Sequence, residues 1–186
     1  MRALIRMVVV LTLICAASGL TLSAVYRLTE APIDYQIIKF VKEPPVKKVL
    51  TGYDNDPIVD RKKIVIGTDE RGNPRELTIF PAKKQGETFA VAIEGRGKGF
   101  HGTIGVMVGV SKQGKITDIA ITSQSETPGI GSRITEPSFT AQFQGLPATG
   151  EPKIDGISGA TYSSRGVMDA VGEALGYAEK FREEMF

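Results

Sequence analysis

This chain has almost no sulfur or imidazole chemistry to offer: of 186 residues one is cysteine, one is histidine and none is tryptophan. The single thiol, Cys15, lies inside an apolar run, so the rest of the chain has no cysteine with which to form a disulfide. Zinc, haem and iron–sulfur sites built on cysteine are thereby excluded, and with His101 alone so is a histidine metal cluster. A surplus of one charge is missing as well. The 23 basic residues face 21 acidic ones, and with Arg2, Arg6 and Arg27 set aside the balance is 20 to 21. That leaves no clustered basic surface, and nucleic acid is excluded as a partner. No internal repeat or low-complexity tract occurs.

What the chain does have, at its amino end, is an uncharged stretch from Met7 to Val25, with Arg2 and Arg6 before it, Arg27 after it and no acidic residue before Glu30. Its length suits a bilayer span. Basic flanks and the free amino terminus are retained in the cytoplasm, which predicts the amino end inside and everything after Tyr26 outside. A span without an ionisable residue offers no proton or sodium relay. Its predicted work is anchoring and docking, with Ser18, Gly19, Thr21 and Ser23 as small packing positions. A cleaved signal peptide is the competing reading, since Ala16-Ala17-Ser18 and Ser23-Ala24 supply small residues, although the apolar run exceeds a usual signal core. The expected organisation is a cytoplasmic terminus and transmembrane anchor over 1–28, a linker or stalk over 29–60, and one extracytoplasmic domain over 61–186.

Within the linker, Tyr35 to Lys42 reads as a short helix ended by Pro44-Pro45, and Val46 to Arg61 reads as an irregular lead-in. Strand signals follow at Lys63–Ile66, Glu76–Phe80, Thr88–Ile93, Thr103–Val110 and Ile116–Ile121. The last two flank the turn Ser111–Lys115 and predict an antiparallel hairpin. A helical stretch is expected over Pro137–Phe143. Near the carboxyl end, Val167, Ala170, Val171, Ala174, Leu175, Ala178 and Phe181 share one helical face. Gly172 and Gly176 in that helix either permit close packing or simply weaken it. Strands followed by helices give an α+β domain with one main antiparallel sheet.

Three loops carry chemistry or imitate it. Asp155-Gly156-Ile157-Ser158-Gly159-Ala160-Thr161-Tyr162-Ser163-Ser164 leads straight into the last helix. A helix start presents unpartnered N–H groups and the positive dipole end, which suits a phosphate. Gly159 and Ala160 keep bulk away, and Ser158, Thr161, Ser163 and Ser164 are candidate hydroxyl donors. Plain helix capping by Ser163 or Ser164 explains the same residues. The second loop, Gly97-Lys98-Gly99-Phe100-His101-Gly102, matches a dinucleotide fingerprint in letters only. It precedes a strand rather than opening a helix, so its glycines are read as a loop or bulge at the sheet edge, with His101 on the surface. The third, Ser125 to Arg133, holds a Pro128-Gly129 turn with several polar side chains. It reads either as a ligand loop or as a turn before a helix capped by Ser132 or Thr135.

Two of these segments resemble the FMN-binding domain family, and the layout resembles the G subunits of Rnf-type electron-transport complexes. Asp155 to Thr161 is similar to the family's flavinylation motif, D-x-x-S-G-A-T. Glu126-Thr127-Pro128-Gly129-Ile130-Gly131 is similar to its E-T-P-G-L-G loop, with Ile130 in place of Leu, and Gly97 to Ile104 resembles a further block. The resemblance implies that Thr161 is esterified to the phosphate of FMN by a separate, magnesium-dependent flavin transferase. Ser158, Gly159 and Ala160 would let that enzyme close over the backbone, and Glu126, Thr127, Pro128, Gly129, Ile130 and Gly131 would lie along the flavin. It further implies a subunit of a membrane complex that couples ferredoxin/NAD electron transfer to ion translocation, with other membrane and peripheral subunits as redox partners and no catalytic residue of its own. The flavin would carry the redox chemistry. Rival readings are the C subunit of sodium-pumping NADH:quinone reductase, and a membrane-anchored flavin-sensing or scaffold module without steady electron flux.

Overall fold

The computed structural model describes residues 1–68, 72–150 and 152–186, and the chain divides into two units, Met1–Phe40 and Val41–Phe186. The first unit is dominated by helix α1, Arg2–Gln36. Its Arg2–Glu30 portion is long and apolar enough to cross a membrane, with a mean hydropathy of 2.3 over its most apolar window. Thr21 donates its hydroxyl back to the Ala17 carbonyl at 2.9 Å, so this polar side chain turns onto the helix.

Ile37–Lys42 forms π-helical turns, and α2 follows over Glu43–Val49. The Pro44-Pro45 pair therefore opens a helix where the sequence predicted an end. Proline is tolerated in a first turn, because the N–H it lacks has no intrahelical partner there. Of the predicted irregular lead-in, Val46 to Val49 is helical, while residues 51–61 form turns and bends without helix or strand. Val46, Val49 and Leu50 are buried against Phe80, Ala82, Ala90, Ala92, Met107 and Ala120. Thr117 donates its hydroxyl to the Val49 carbonyl at 2.6 Å, and Lys48 donates to the Ile119 carbonyl at 3.2 Å. Asn55 bridges the Pro81 carbonyl, the Lys83 N–H and Asp60. The compact unit thus begins ahead of residue 61, because without α2 this face of the sheet would be bare.

Five strands form an antiparallel meander in chain order: β1 Lys62–Thr68, β2 Pro74–Lys84, β3 Glu87–Lys98, β4 Thr103–Ser111 and β5 Ile116–Ser123. Each predicted strand is present and longer than its apolar centre. The β2–β3 connection is the two-residue turn Gln85-Gly86, both at positive φ (53° and 84°), a geometry whose twist matches that of the strands. The Gln85 N–H donates to Asp54 at 2.7 Å, which steadies a non-glycine residue in that region. The predicted β4–β5 hairpin pairs Val110 with Ile116 across a turn in which Gly114 takes φ 75°.

Alternation sorts side chains onto two faces. On β3, Val91 and Ile93 join the larger cluster, while Ala90 and Ala92 meet the cluster under α2. The larger cluster is covered by α4, Thr161–Lys180, whose Val167, Ala170, Val171, Ala174 and Leu175 are buried as the periodicity predicted. Contact between α4 and β3 is backbone on backbone. A Cβ built on Gly95 falls 2.0 Å from the Ala170 carbonyl oxygen, and one on Gly97 falls 1.9 Å from that of Gly166. The glycines read as an edge bulge thus lie partly in the middle strand, where Gly97 pairs with Ile104 and the absent side chain admits the helix. Gly172 and Gly176 meet nothing within 4 Å; the close-packing glycine of α4 is Gly166.

After β5 the chain runs through a 3-10 turn, Gly131–Thr135, into α3, Pro137–Thr140, and a further 3-10 turn, Ala141–Phe143. A short helix α5, Arg182–Met185, closes the chain. The whole is an α+β arrangement: an apolar amino-terminal helix and a five-stranded antiparallel sheet with flanking helices.

Candidate functional site

Residues from three separate segments meet where β3 turns into β4 and α4 begins. Phe100, Glu126, Thr127, Ile130, Gly131 and Gly159 through Ser163 line a cleft of about 250 Å³. The two loops singled out in the sequence are therefore neighbours, and the Gly97–Gly102 segment supplies the third wall.

Glu126 holds these segments together. It is buried, and its carboxylate accepts hydrogen bonds from the Phe100 N–H at 3.1 Å, from the His101 N–H at 3.0 Å and from the Ser163 hydroxyl. Burial alone pushes a carboxyl upward. Here the Ser163 hydroxyl, the two backbone donors and the nearby His101 outweigh it and hold Glu126 below the ordinary glutamate value. Space for the carboxylate depends on two glycines. A Cβ on Gly99 would fall 2.5 Å from Glu126 Oε1, and one on Gly131 would fall 2.7 Å from Ser163 Oγ and 2.8 Å from Glu126 Cβ.

The remainder of this loop is tied to itself. Gly129 takes φ 74°, as the Pro-Gly turn predicted, and its N–H donates to Ser132 Oγ at 2.9 Å. The N–H groups of Ile130 and Ser132 both reach the Thr127 carbonyl, at 3.2 and 3.1 Å. Thr127 Oγ1 lies 3.4 Å from His101 Nδ1. Ser132 and Thr135 cap no helix: Ile130 and Glu136 occupy the N-cap positions, and neither makes a side-chain cap bond. Pro128, Gly129 and Ile130 are exposed.

The segment leading into α4 is braced at two points. Gln142 accepts from the Asp155 N–H at 2.9 Å and donates to its carbonyl at 3.3 Å, and Ser164 Oγ accepts the Ile157 N–H at 2.9 Å. Ser163 and Ser164 are accordingly not caps. They are buried inside the first turn, one bound to Glu126 and the other holding the incoming loop. The N-cap is Ala160, which has no side chain able to bond. The first intrahelical bond runs from the Ser164 N–H to the Ala160 carbonyl at 2.9 Å, so the N–H groups of Thr161, Tyr162 and Ser163 lie ahead of it at the positive dipole end. Ser158, Gly159 and Thr161 are exposed, Gly159 takes φ 80°, and nothing lies within 4 Å of where its Cβ would stand. Thr161 thus presents a free-standing hydroxyl beside an uncapped, small-residue helix start.

Sequence reading missed Phe100 and Tyr162, which rim this cleft. Their only signal was position: one at the tip of a glycine-rich turn, the other next to Thr161. A second depression of about 320 Å³ lies elsewhere, lined by Arg75, Glu94, Arg96 and Glu173 among others. Its acids already have partners: Glu94 binds Lys42 and Thr122, and Glu173 accepts from the Arg96 N–H and Tyr177.

Comparison with known proteins finds similarity over the region that holds the cleft. Residues 99–176 match the family model described as FMN-binding domain, which contains all three walls of the cleft. The chain is 29% identical over 179 residues to the G subunit of the ion-translocating oxidoreductase complex of Methanosarcina acetivorans, covering 92% of this chain and 93% of that one. It is 28% identical over 174 residues to the G subunit of the proton-translocating ferredoxin:NAD(+) oxidoreductase complex of Clostridium ljungdahlii, covering 89% and 86%. The crystal structure of Shewanella oneidensis NqrC shares the fold, with a TM-score of 0.55 at 18% identity over 81% of this chain and 76% of that one. Residues 99–176 are therefore similar to the FMN-binding domain and, over most of its length, the chain is similar to proteins named as the G subunits of ion-translocating oxidoreductase complexes.

Proposed function

We propose that this chain is the flavin-carrying subunit of an ion-translocating oxidoreductase complex, holding FMN covalently on Thr161 through a phosphate ester. The observation that carries the reading is the exposed Thr161 hydroxyl at an uncapped helix start, opening on the cleft that the Glu126–Gly131 loop completes. The residues fit the group. A phosphate diester retains one negative charge, which the first-turn N–H groups and the helix dipole stabilise, and Gly159 and Ala160 leave its approach open. Ser158, exposed just ahead of Gly159 in the chain, offers a further hydroxyl. When bound, the flavin supplies the redox chemistry, and the protein's own contribution is to place and shield it.

A threonine hydroxyl is a weak nucleophile, so ester formation calls for an activated phosphoryl donor and for an enzyme supplying metal and base. We assign that work to a separate flavin transferase. Glu126 is not its base: all three of its donors hold it as a buried structural carboxylate. The apolar helix of the first unit is assigned as the membrane anchor, with the amino end cytoplasmic and the domain outside, by the Arg2 and Arg6 flank. The names of the relatives support a place in a complex that couples ferredoxin/NAD electron transfer to ion movement, with other membrane and peripheral subunits as electron donor and acceptor.

Intact mass of the full chain coexpressed with a flavin transferase tests the reading. The wild type is expected to gain one FMN less water, and Thr161→Ala to gain nothing while keeping its fold, because the side chain is exposed. Covalent flavin retained in Thr161→Ala overturns the attachment site. The same spectrum reports whether the amino-terminal helix is cleaved, which decides between anchor and signal peptide.

A further inference from the structure

The rim of the cleft carries two aromatic rings that contribute nothing to the core. Phe100 and Tyr162 are each 66% exposed, and Ile130 beside them in the same cleft is 51% exposed. Large apolar side chains grouped on a surface mark a recognition site more often than scattered ones do. The two rings come from segments distant in sequence, yet their centroids lie 6.2 Å apart at an interplanar angle of 42°, and Phe100 also packs edge-on against His101 at 4.8 Å.

Their meeting is imposed by the backbone. Glu126 accepts the Phe100 N–H with the same carboxylate that takes the hydroxyl of Ser163, the residue after Tyr162. Both rings are therefore displayed from pinned main chain. Aromatic side chains with two rotatable bonds offer broad contact area at low entropic cost. Such a surface suits a flat, conjugated ligand, which gains from offset stacking. Thr161 lies next to Tyr162 in the chain, and a tricyclic ring tethered there has this platform within reach.

We propose that Phe100 and Tyr162 form the stacking platform for the isoalloxazine ring of the flavin, with Ile130 adding apolar surface; this rests on the assignment of Thr161 above. The phosphate end is held by the helix start and the ring end by the aromatic pair. The flavin is thereby oriented rather than left swinging on its ester.

The test uses the full-length chain, loaded by coexpression with a flavin transferase and purified in detergent, with loading measured by intact mass. Flavin emission per bound flavin is compared before and after unfolding. In the wild type, emission is expected to rise several-fold on unfolding, because a stacked tyrosine quenches the folded state. Phe100→Ala and Tyr162→Ala each lower that rise, the double variant removes most of it, and Tyr162→Phe keeps the ring's visible circular dichroism while losing part of the quenching. A loaded double variant with wild-type quenching and flavin dichroism overturns the platform. So does a Phe100→Ala protein that melts like wild type but takes up no flavin, since the ring would then serve the transferase. A wild type without bound flavin overturns the Thr161 assignment itself, and the platform with it.

Discussion

The two faces of the sheet are closed by different means. Under α2 side chains fill most of the contact, with Leu50, Val46 and Val49 against Phe80, Met107 and a set of alanines. The main chains approach closely at one point, where a Cβ on Gly109 would fall 2.6 Å from the Val49 carbonyl oxygen. Under α4 the closest contact is between main chains, with Gly95 and Gly97 of β3 against Ala170 and Gly166 of the helix. A side-chain interface tolerates repacking at moderate cost, whereas a backbone interface has nothing able to move aside. The face with the closer backbone contacts is the one that places Thr161, Ser163 and the cleft.

This comparison is sharpest at Gly97. Gly97→Val places a branched side chain into the Gly166 carbonyl and is expected to cost more than about 4 kcal/mol, read as loss of a cooperative melting transition. Leu50→Ala, on the other face, is expected to cost about 3 kcal/mol in chemical denaturation while leaving flavin loading of the folded protein intact. Loading lost in Leu50→Ala would erase the distinction between the faces. It also tests whether α2 belongs to the domain: a stalk residue would cost almost nothing.

A smaller effect is expected at Glu126, whose carboxyl sits below its ordinary value in the folded state. A depressed carboxyl contributes stability that is fully present above its unfolded value, near 4.5, and is lost as pH falls through the folded value. Glu126→Gln is expected to cost about 1–3 kcal/mol at neutral pH, since one acceptor oxygen then serves three donors. Its difference from wild type should shrink as the pH drops below 4.5. A difference that stays constant down through the acid limb would show that Glu126 is not charged in the fold. The smallest effect belongs to Gly172, which faces open space: Gly172→Ala should stabilise by up to about 1 kcal/mol through helix propensity, with loading unchanged.

Several elements were legible without coordinates, and each for a local reason. The strands from Lys63 to Ile121 showed in runs of β-branched and apolar residues, the Ser111–Lys115 turn in its composition, and the α4 face in its period. The lead-in expected over Val46 to Arg61 is irregular only over 51–61; the helix through Val49 was missed because two prolines and a thin apolar pattern look like a break. Only the sheet's second face explains why Val46, Val49 and Leu50 must be covered. Ser163 and Ser164 looked like caps because a hydroxyl before a helix usually is one. Here the N-cap is Ala160, three residues ahead of Ser163, and both hydroxyls serve other loops.

The sequence by itself determined the apolar span, the α+β class, the turn over Ser111–Lys115, the positive φ at Gly129, and the two motifs on which the site is built. These are properties of contiguous residues, set by hydrophobic period, backbone freedom and small side chains. Tertiary structure alone decided that the motifs share one cleft, that Glu126 ties Phe100 to Ser163 across three segments, and that glycines in the middle strand admit α4. Those facts depend on distances between residues far apart in the chain, and no local pattern encodes a distance.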